Sequence, residues 1–397
     1  MEEVVIVSAV RTAIGKLGGT LKDVLPEDLA EVVINESLNR AGIQGEQLDE
    51  VILGQAKQSA DNPNIARLAS LKANLPIEVP AYTVHRQCGS GLQSVINGAH
   101  QITLGLSQIV LAGGVESMST APYYIRNARY GALAGNTLLL DPNTESQPRS
   151  QPAEVYGELN MGMTAENLAE KYSISRQEQD EFALLSQERA HKAIFTGQLK
   201  EEIVPVPIPR RKKEPIYFKT DEHPREASLD ELAKLKPVFK KNGTVTAGNA
   251  SGRNDGASAL VLMSKRKAQD LGINPIARFV SEGVAGVSPE LMGIGPVTAI
   301  RLALSRAGLT IDDIDLIELN EAFAAQSLAV LKEIGIGTEK VNVNGGAIAF
   351  GHPIGNSGSR ILVTLLHEMK RRQSRYGLAT LCIAGGLGIA AIVENLQ

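Results

Sequence analysis

The chain has 397 residues, enough for two or three domain-sized cores. Apolar residues make up 43% and charged residues 21%, the profile of a soluble globular protein, and no apolar run is long enough to cross a membrane. The net charge of −4 argues against a general affinity for nucleic acid, as does the absence of Trp, whose ring could stack on bases. The acidic N-terminus lacks a signal peptide pattern, and two cysteines cannot form a disulfide framework, so we expect a reducing, cytoplasmic location.

Short buried strands alternate with amphipathic helices along the chain. The predicted strands are VVIV at 4–7, EVIL at 50–53 and QIVLAGG at 108–114. The predicted helices run from Pro26 to Gly42, from Gly91 to Leu104, and over Ile361 to Met369. This alternation predicts a layered α/β fold around a mostly parallel sheet.

Additional sequence separates the two parts of this pattern, at roughly 119–249. It contains a polar, Pro-containing stretch at 141–152 that is compatible with a flexible segment, and helical patterns for which Ser175 is the predicted N-cap. A basic run at 210–213 fits either a phosphate contact or a solvated loop. We interpret this region as a lid or substrate-binding subdomain inserted in the first part.

Four short segments recur in the same order in the two parts of the chain. The matched pairs are Arg40-Ala41-Gly42 with Arg306-Ala307-Gly308, Gly54-Gln55-Ala56 with Asn320-Glu321-Ala322, the heptapeptides that begin at His85 and His352, and Leu111–Gly114 with Ile383–Gly386. Four matches in order predict two copies of one unit. The predicted division is one half at 1–118 plus 250–270, an insertion at 119–249, and a second half at 271–397.

Cys88 and His352 are the first two candidate catalytic residues. Cys88 directly precedes a predicted helix, whose dipole and free N–H groups would stabilise a thiolate nucleophile, although a buried structural Cys is equally compatible. His352 lies in the Gly-rich segment 342–358, and so much Gly is needed where backbone bends sharply or approaches a ligand. Its imidazole could act as the base for Cys88, while the alternative is a satisfied His in a turn.

Cys382 and Asn320 are the other two candidates. Cys382 follows an apolar strand and precedes two glycines, so it is either a small core residue or a second thiol for proton transfer. Asn320 ends a strand and precedes a helix, so its side chain either caps that helix or donates to a developing oxyanion.

Seven motifs together resemble those of the thiolase family in order and spacing, across nearly the whole chain. They are QCGSG, AGGVESMS, MGMTAENLAEKY, GTVTAGNASGRNDGA, NEAFAAQ, NVNGGAIAFGHPIG and CIAGGLG. The resemblance implies a five-layered α-β-α-β-α sandwich of two duplicated halves with an inserted loop domain. It also implies an acetyl-CoA C-acyltransferase that condenses acyl-CoA thioesters, or cleaves acetoacetyl-CoA or longer 3-ketoacyl-CoA, through a cysteine acyl-enzyme in a ping-pong mechanism.

The resemblance assigns a role to each candidate. Cys88 is similar to the acyl-accepting nucleophile that His352 activates, and Cys382 to the group that moves the α-proton of the second thioester. Asn320 would hold a water that, with His352, binds the enolate oxygen. The backbone N–H groups of Cys88 and Ala384 would form the oxyanion hole of the acyl-enzyme step.

The resemblance also implies where coenzyme A lies and what the chain assembles with. The implied contacts are Ser251 with its neighbours Gly248 and Gly252 for pantetheine, Met161, Phe239 and Phe323 as pocket walls, and Arg225 for the nucleotide. CoA thioesters would be substrates, with no bound cofactor or metal. We expect a homodimer or homotetramer and no nucleic-acid or membrane partner.

Three positions depart from the family pattern. His85 stands where Asn is common, and we expect it to replace a structural hydrogen bond rather than to tune Cys88. Asn160 stands where short-chain members often have His, which weakens an assignment to acetoacetyl-CoA alone. Ala384 replaces the first Gly of the usual CxGGG, which preserves the N–H provided the backbone angles suit a residue with a Cβ.

One alternative function is that of a decarboxylating condensing enzyme similar to ketoacyl synthases. The other is that of a non-catalytic, thiolase-like protein that binds lipid or acyl-CoA. The complete set of Cys88, Asn320, His352 and Cys382 argues against both.

Overall fold

The computed structural model describes residues 2–131 and 134–397. Its strands are Val4–Thr12 (β1), Gly15–Lys16 (β2), Glu50–Gly54 (β3), Ala81–Val84 (β4), Ile109–Ser117 (β5), Ile203–Val204 (β6), Val206–Arg210 (β7), Lys213–Phe218 (β8), Asn254–Ser264 (β9), Ala277–Gly286 (β10), Leu316–Leu319 (β11), Tyr376–Ile383 (β12) and Leu387–Asn395 (β13). Its α-helices are Pro26–Ala41 (α1), Ile65–Lys72 (α2), Ser90–Thr103 (α3), Pro142–Glu145 (α4), Ala153–Tyr156 (α5), Met161–Lys171 (α6), Arg176–Phe195 (α7), Leu229–Ala233 (α8), Lys265–Asp270 (α9), Gly295–Ala307 (α10), Ala324–Ile334 (α11), Ala347–Phe350 (α12) and Ser357–Arg372 (α13).

The helix boundaries follow local sequence signals. Pro26 begins α1, and Gly42 ends it in the left-handed region with φ +66°. The Ser175 hydroxyl accepts the Glu178 N–H at the start of α7, as predicted for an N-cap. The predicted helices at 91–104 and 361–369 are α3 and part of α13. Local chemistry therefore accounts for both ends of α1 and for the start of α7.

The prediction of a mostly parallel sheet is wrong, because the main sheet is mixed. Its strands follow the order β11-β12-β13-β10-β1-β9-β5-β3-β4. Pairing is parallel for β3 with β4 and β5 and for β11 with β12, but antiparallel along β5-β9-β1-β10-β13-β12. A short turn joins β12 to β13, and a turn of that length can connect only antiparallel neighbours.

The two halves of this sheet repeat one topology. The order β4-β3-β5-β9-β1 matches β11-β12-β13-β10 in strand directions, and a parallel bridge from Ile317 to Val341 stands in the place of β4. The Asp49 carboxylate accepts the N–H groups that open β5, and Asp315 does the same for β12. These shared contacts support the predicted duplication.

One of the four sequence matches is out of register. Gly113 pairs with Leu53, and in the second half Thr380 pairs with Leu319, so Thr380 is the equivalent of Gly113. Gly385, which the sequence matched to Gly113, lies instead in the turn after β12. Similar dipeptides arose there for different reasons, since Gly113 lies inside a strand and Gly385 needs a φ of +91°.

Three hydrophobic cores separate five layers, as predicted. The first core lies between the sheet of the first half and the outer helices α1 and α2. The second surrounds α3 and α13, which pack together between the two halves. The third lies between the sheet of the second half and the outer helices α10 and α11. The order is therefore helix, sheet, helix, sheet, helix.

The sequence between β5 and β9 carries α4 to α8 and β6 to β8. It is fastened to the first half by β6, which pairs with β1, and by buried Arg11, whose guanidinium lies 2.7 Å from Glu202 and 2.8 Å from Asp221. The basic run 210–213 occupies the exposed turn between β7 and β8. The predicted domain boundaries remain a prediction. No helix within the described residues has the length and apolar character to span a bilayer.

Close packing of α10 on the second half of the sheet predicts a stability effect. A Cβ at Gly388, on β13, would overlap the backbone carbonyl of Gly295 at the start of α10. We therefore expect Gly388→Ala to lower the free energy of unfolding by about 3 kcal/mol. Gly286→Ala on β10 is the matched control, because the nearest atoms to its Cβ would lie 3.9 Å away. Equal urea midpoints for the two variants would contradict this account.

Candidate active site

A cavity of about 820 Å³ opens where the insertion meets the two halves. Its wall includes Cys88 and Met118 from the first half, Gln147 and Phe239 from the insertion, and His352 and Cys382 from the second half. Three candidates that are far apart in sequence, Cys88, His352 and Cys382, thus meet in one place. The arrangement puts two thiols and an imidazole on the surface of a ligand-sized space.

Cys88 lies directly before α3, as the sequence predicts, but burial outweighs the effect of the helix. Burial raises the pKa of the Cys88 thiol to about 11, while the backbone N–H of Ala384, the Lys57 ammonium and the N–H of Cys88 itself lower it. The predicted stabilisation of a thiolate is therefore only partial. The two N–H groups that contact Sγ are those expected to form the oxyanion hole, so a carbonyl oxygen added near Cys88 meets two donors.

Hydrogen bonds fix the orientation and tautomer of His352. Its backbone N–H donates to Asn254 Oδ1 at 3.1 Å, and its Nδ1 lies 2.6 Å from Ser357 Oγ. The Ser357 hydroxyl donates its one proton to the Pro353 carbonyl at 3.0 Å, so His352 Nδ1 must be the donor to Ser357. His352 Nε2 is then an unprotonated base, and it is buried without a protein partner.

Burial also decides the charge of His352. It lowers the pKa of the imidazole to about 3, and the positive charges of Arg360 and Lys57 act in the same direction. Gly351 allows the backbone to reach this position, because its φ is +100° and a Cβ there would overlap the Asn254 amide. The result is a neutral imidazole beside a neutral thiol.

These pKa values predict how Cys88 reacts in the resting protein. We expect its alkylation by iodoacetamide to rise roughly tenfold per pH unit from pH 7 to 9 without a plateau, because only the rare thiolate reacts. Mass spectrometry of the Cys88 peptide measures the alkylation rate. The denatured chain is the control, because its thiol has an ordinary pKa of about 8.5. A plateau reached by pH 6 would show a thiolate–imidazolium pair and contradict the assignment.

Cys382 lies near the end of β12 in an apolar setting. It packs in a cluster with Met292, Ala322 and Phe323. Burial raises the pKa of the Cys382 thiol well above its ordinary range, and the nearby charge of a Cys88 thiolate would raise it further. Cys382 is thus both a core residue and a cavity residue, so the two readings of its sequence context are compatible.

The substitution of Ala384 for the usual Gly is tolerated by the backbone. The two residues of this turn with left-handed backbone are Gly385, with φ +91°, and Gly386, with φ +83°. Ala384 does not have a positive φ. Its N–H still points at Cys88 Sγ. The backbone angles at Ala384 therefore suit a residue with a Cβ.

Asn320 does not cap a helix. The helix that follows it, α11, has Phe323 at its N-cap, with no side-chain hydrogen bond. The Asn320 side chain is fully buried, and neither its Oδ1 nor its Nδ2 has a hydrogen-bond partner within the part of the chain that the structure describes. Asn320 is not among the residues that line the cavity, although Ala322 and Phe323, which follow it closely, are. Two unpaired amide atoms are costly to bury, so the site suits an ordered water.

Most of the predicted coenzyme A contacts line the cavity. They are Met161, Phe239, Ser251, Gly252 and Phe323. The Ser251 N–H donates to the Ala322 carbonyl at 3.0 Å, which ties this loop to the segment after β11. The Phe239 and Phe323 rings meet edge to face, with centroids 6.1 Å apart. The apolar rings therefore lie next to the polar loop, whose Ala250 pairs with Phe323.

Arg225 and Gly248 are not part of the cavity lining. Arg225 is exposed, and its guanidinium donates to the Ala247 carbonyl at 3.0 Å. A Cβ at Gly248 would press on Leu232 and Leu235, so packing explains this glycine. The structure thus separates these two positions from the thiols and the imidazole.

His85 and Asn160, the other two residues that depart from the family pattern, lie in different environments. The His85 side chain is exposed by its surface area and does not line the cavity, while neighbouring atoms partly desolvate its ring and lower the pKa of its imidazole. Asn160 does line the cavity, and its Oδ1 accepts the Met163 N–H at 3.0 Å to cap α6. Asn160 is therefore held in place by a local structural role.

Sequence reasoning missed three residues that support the site. Ser357 sets the tautomer of His352, and Glu116 accepts N–H bonds from Ala56, Lys57 and Gly355. Lys57 lies close enough to act on the charge of Cys88. A carboxylate inside the apolar strand β5 was a visible signal for Glu116, but nothing local distinguishes Lys57.

Within the described residues, no group of three or more His, Cys, Asp or Glu could hold a metal ion.

Comparisons with known proteins agree along the whole chain. Models of the thiolase N-terminal and C-terminal domains match residues 4–266 and 273–395. An acetyl-CoA acetyltransferase of Cupriavidus necator is 53% identical, with 100% of each chain covered. The beta-ketothiolase BktB of the same bacterium is 49% identical, with 99% of each covered.

Solved structures give the same result. The acetyl-CoA acetyltransferase of Bacillus anthracis superimposes with a TM-score of 0.97 at 49% identity, covering 100% of this chain and 99% of that one. A human mitochondrial 3-ketoacyl-CoA thiolase in complex with CoA gives a TM-score of 0.94 at 45% identity, covering 99% and 98%. The chain belongs to the thiolase family and is an acyltransferase.

Proposed function

We propose that the chain catalyses the reversible condensation of two acetyl-CoA molecules to acetoacetyl-CoA and coenzyme A. The observation that carries this proposal is the meeting of Cys88, His352 and Cys382 in one cavity, with Ala384 N–H directed at Cys88. The acetyl-CoA acetyltransferase of Cupriavidus necator, 53% identical, supports the acetyl group as the unit transferred. The proposed chemistry needs no bound cofactor.

In the first half-reaction, His352 Nε2 takes the proton of Cys88 and the thiolate attacks the thioester carbonyl. The N–H groups of Cys88 and Ala384 receive the negative oxygen. Coenzyme A leaves with a proton from Cys382. This leaves an acetyl group on Cys88, a protonated His352 and a Cys382 thiolate, so the high cost of each charge is offset by its neighbour.

In the second half-reaction, the Cys382 thiolate removes the α-proton of a second acetyl-CoA. A thioester α-proton is only weakly acidic, so the enolate oxygen needs donors that are already in place. Protonated His352 and a water held by Asn320 supply them. The enolate carbon attacks the acetyl carbonyl, and Cys88 departs as a thiolate that recovers its proton from His352.

Coenzyme A would occupy the mouth of the cavity. We propose that Ser251 and Gly252, which line the cavity, contact its pantetheine arm, and that Phe239 and Phe323 enclose the acyl group. Arg225 lies outside the lining, as expected of a residue that contacts the distant nucleotide. The CoA complex of the human relative, which is 45% identical, supports coenzyme A as the ligand.

Longer 3-ketoacyl-CoA thioesters are the second candidate substrates. The cavity volume and Asn160, in place of the His of many short-chain members, favour them. The test is CoA-dependent cleavage of acetoacetyl-CoA and of 3-ketooctanoyl-CoA by the purified protein. We expect acetoacetyl-CoA to be cleaved; better cleavage of 3-ketooctanoyl-CoA would assign the chain to degradation of longer acyl groups, and no cleavage of either would refute the proposed chemistry.

We also propose a homodimer or homotetramer in a reducing, cytoplasmic location. Strand β4 ends the sheet with one edge unpaired, which is a common site of association. Large apolar side chains are exposed near 123–139, namely Tyr123, Tyr124, Ile125, Tyr130, Leu138 and Leu139. Both cysteines are free thiols. Light scattering after gel filtration measures the assembly, and a monomer at micromolar concentration would contradict it.

A further inference from the structure

Lys57 is a buried lysine that the proposed chemistry has not used. It lies three residues after β3 and is only 5% exposed. Its ammonium donates to the Pro142 carbonyl at 2.9 Å, to the Ser146 hydroxyl and to Gln147 Oε1 at 3.2 Å. All three donors of the ammonium are thus satisfied, which favours its charged form.

The acceptors of Lys57 all belong to one wall of the cavity. They lie in the segment 142–147, here called the wall segment, and Asn143, Thr144, Glu145 and Gln147 from this segment line the cavity. The sequence suggested a flexible stretch at this point. Its three contacts converge on one buried side chain, so Lys57 holds the wall segment in position together with Asn143, whose Nδ2 donates to the Met118 carbonyl at 2.9 Å.

The backbone of Lys57 is anchored just as firmly. Its N–H donates to Glu116 Oε1 at 3.0 Å, and Glu116 Oε2 accepts the Gly355 N–H at 2.8 Å from the loop that carries His352. The Glu116 carboxylate therefore joins the end of β3, strand β5 and the His352 loop. Lys57 is fixed at the junction of the segments that form the site.

The charge of Lys57 acts on the nucleophile. It lowers the pKa of Cys88, and its effect is larger than the opposite effect of Glu116. The charged groups that face Lys57 are Glu116, Asp141 and Arg253, together with the Cys88 thiolate when it forms. Burial is the largest effect and lowers the pKa of Lys57 overall, while Glu116 and Cys88 act in the opposite direction. Lys57 is thus a nearby cation available to stabilise negative charge on Cys88.

We propose that Lys57 is a positioning residue for acyl transfer, whose ammonium holds the wall segment in place and supplies fixed positive charge beside the Cys88 thiolate. This inference rests on the proposed role of Cys88 as nucleophile. It does not require Lys57 to touch the substrate. A lysine that served only packing would affect stability alone, whereas this one also sets how easily Cys88 ionises.

Lys57→Gln tests the charge, since Gln keeps much of the length and can still donate to the wall segment. We expect the alkylation rate of Cys88 by iodoacetamide to fall roughly tenfold between pH 7 and 9, as for a rise of about one unit in the thiol pKa. The deficit should stay near tenfold across this range, because a thiol with a pKa of about 11 is mostly protonated in both proteins. Lys72→Gln, at the exposed end of α2, is the matched control and should react like the wild type.

Ser146→Ala separates the tether from the charge. It removes one acceptor of Lys57 but leaves the ammonium in place, so the pH dependence of alkylation should not move. Cys88 rates in Lys57→Gln equal to wild type at every pH would overturn the proposal. So would an equal deficit in Ser146→Ala, which keeps the charge, or failure of both Lys57→Gln and Lys57→Met to fold, since either result marks a structural residue.

A Cys88→Ser variant, compared with Lys57→Gln, distinguishes failure of this inference from failure of the proposed function. If Cys88→Ser still cleaves acetoacetyl-CoA, the nucleophile itself has been misassigned. If Cys88→Ser is inactive and Lys57→Gln alkylates like the wild type, the proposed function stands and the role of Lys57 is wrong.

Discussion

Replacing Cys88 by Ser is expected to lower the rate of CoA-dependent cleavage of acetoacetyl-CoA by at least roughly 10⁴-fold. Serine has nearly the same size, so the cavity should keep its shape. Its hydroxyl is far less acidic than a thiol, and His352, with a pKa lowered to about 3, is too weak a base to compensate. The release of acetyl-CoA, followed with purified protein, gives the rate.

Covalent labelling provides the second measurement for this variant. Wild-type protein incubated with acetyl-CoA should gain one acetyl group on the Cys88 peptide, and Cys88→Ser should gain none. Thermal unfolding must be compared for both, because Cys88 is buried in the core around α3 and α13. A folded Cys88→Ser protein that retains more than about a tenth of the wild-type rate would show that another group accepts the acyl chain.

Replacing Cys382 by Ser is expected to separate the two half-reactions. Acetylation of Cys88 should persist, because His352 and the N–H groups of Cys88 and Ala384 remain, and because coenzyme A can depart as a thiolate without the proton that Cys382 otherwise supplies. Condensation and cleavage should fall by about 10³-fold, since no thiolate is left to move the α-proton. Acetyl transfer is read by peptide mass spectrometry, and condensation by the appearance of acetoacetyl-CoA.

Cys88→Ser is the matched control for Cys382→Ser, because the same atom is exchanged in each case at a buried position that lines the cavity. Only Cys382→Ser should retain the acetyl label. If both half-reactions survive in Cys382→Ser, the proton-transfer role assigned to Cys382 is wrong. A decarboxylating condensing enzyme is the alternative that this result would favour.

The position of Asn320 shows why local sequence leaves such roles open. A residue between a strand and a helix is a reasonable N-cap, and nothing nearby in the sequence argues otherwise. In the folded chain the helix begins only at Ala324, and the Asn320 amide is buried without a partner. The distinction depends on where the chain turns, which is set by contacts with residues far away in sequence.

The ionisation of Cys88 is a similar case. The position before a helix was predicted correctly, and a helix N-terminus in general favours a thiolate, although the groups that lower the pKa of this thiol are the Ala384 N–H, the Lys57 ammonium and its own N–H. Burial, however, depends on the packing of both halves around α3, and it raises the pKa of the thiol to about 11. Desolvation of a charge costs more than one helix terminus returns, so the local rule has the right sign and too small a magnitude.

The sequence by itself determined the elements whose signals are local. Pro26 and Gly42 bound α1, Ser175 caps α7, and the family motifs identified the residues that meet in the cavity. Tertiary structure alone decided the strand directions, the register of the duplication, the exclusion of Gly248 from the cavity lining and the contacts of Lys57. Those features depend on atoms brought together from distant parts of the chain. The free energy of burial that governs them arises only when these parts pack together, so a short segment of sequence does not reveal it.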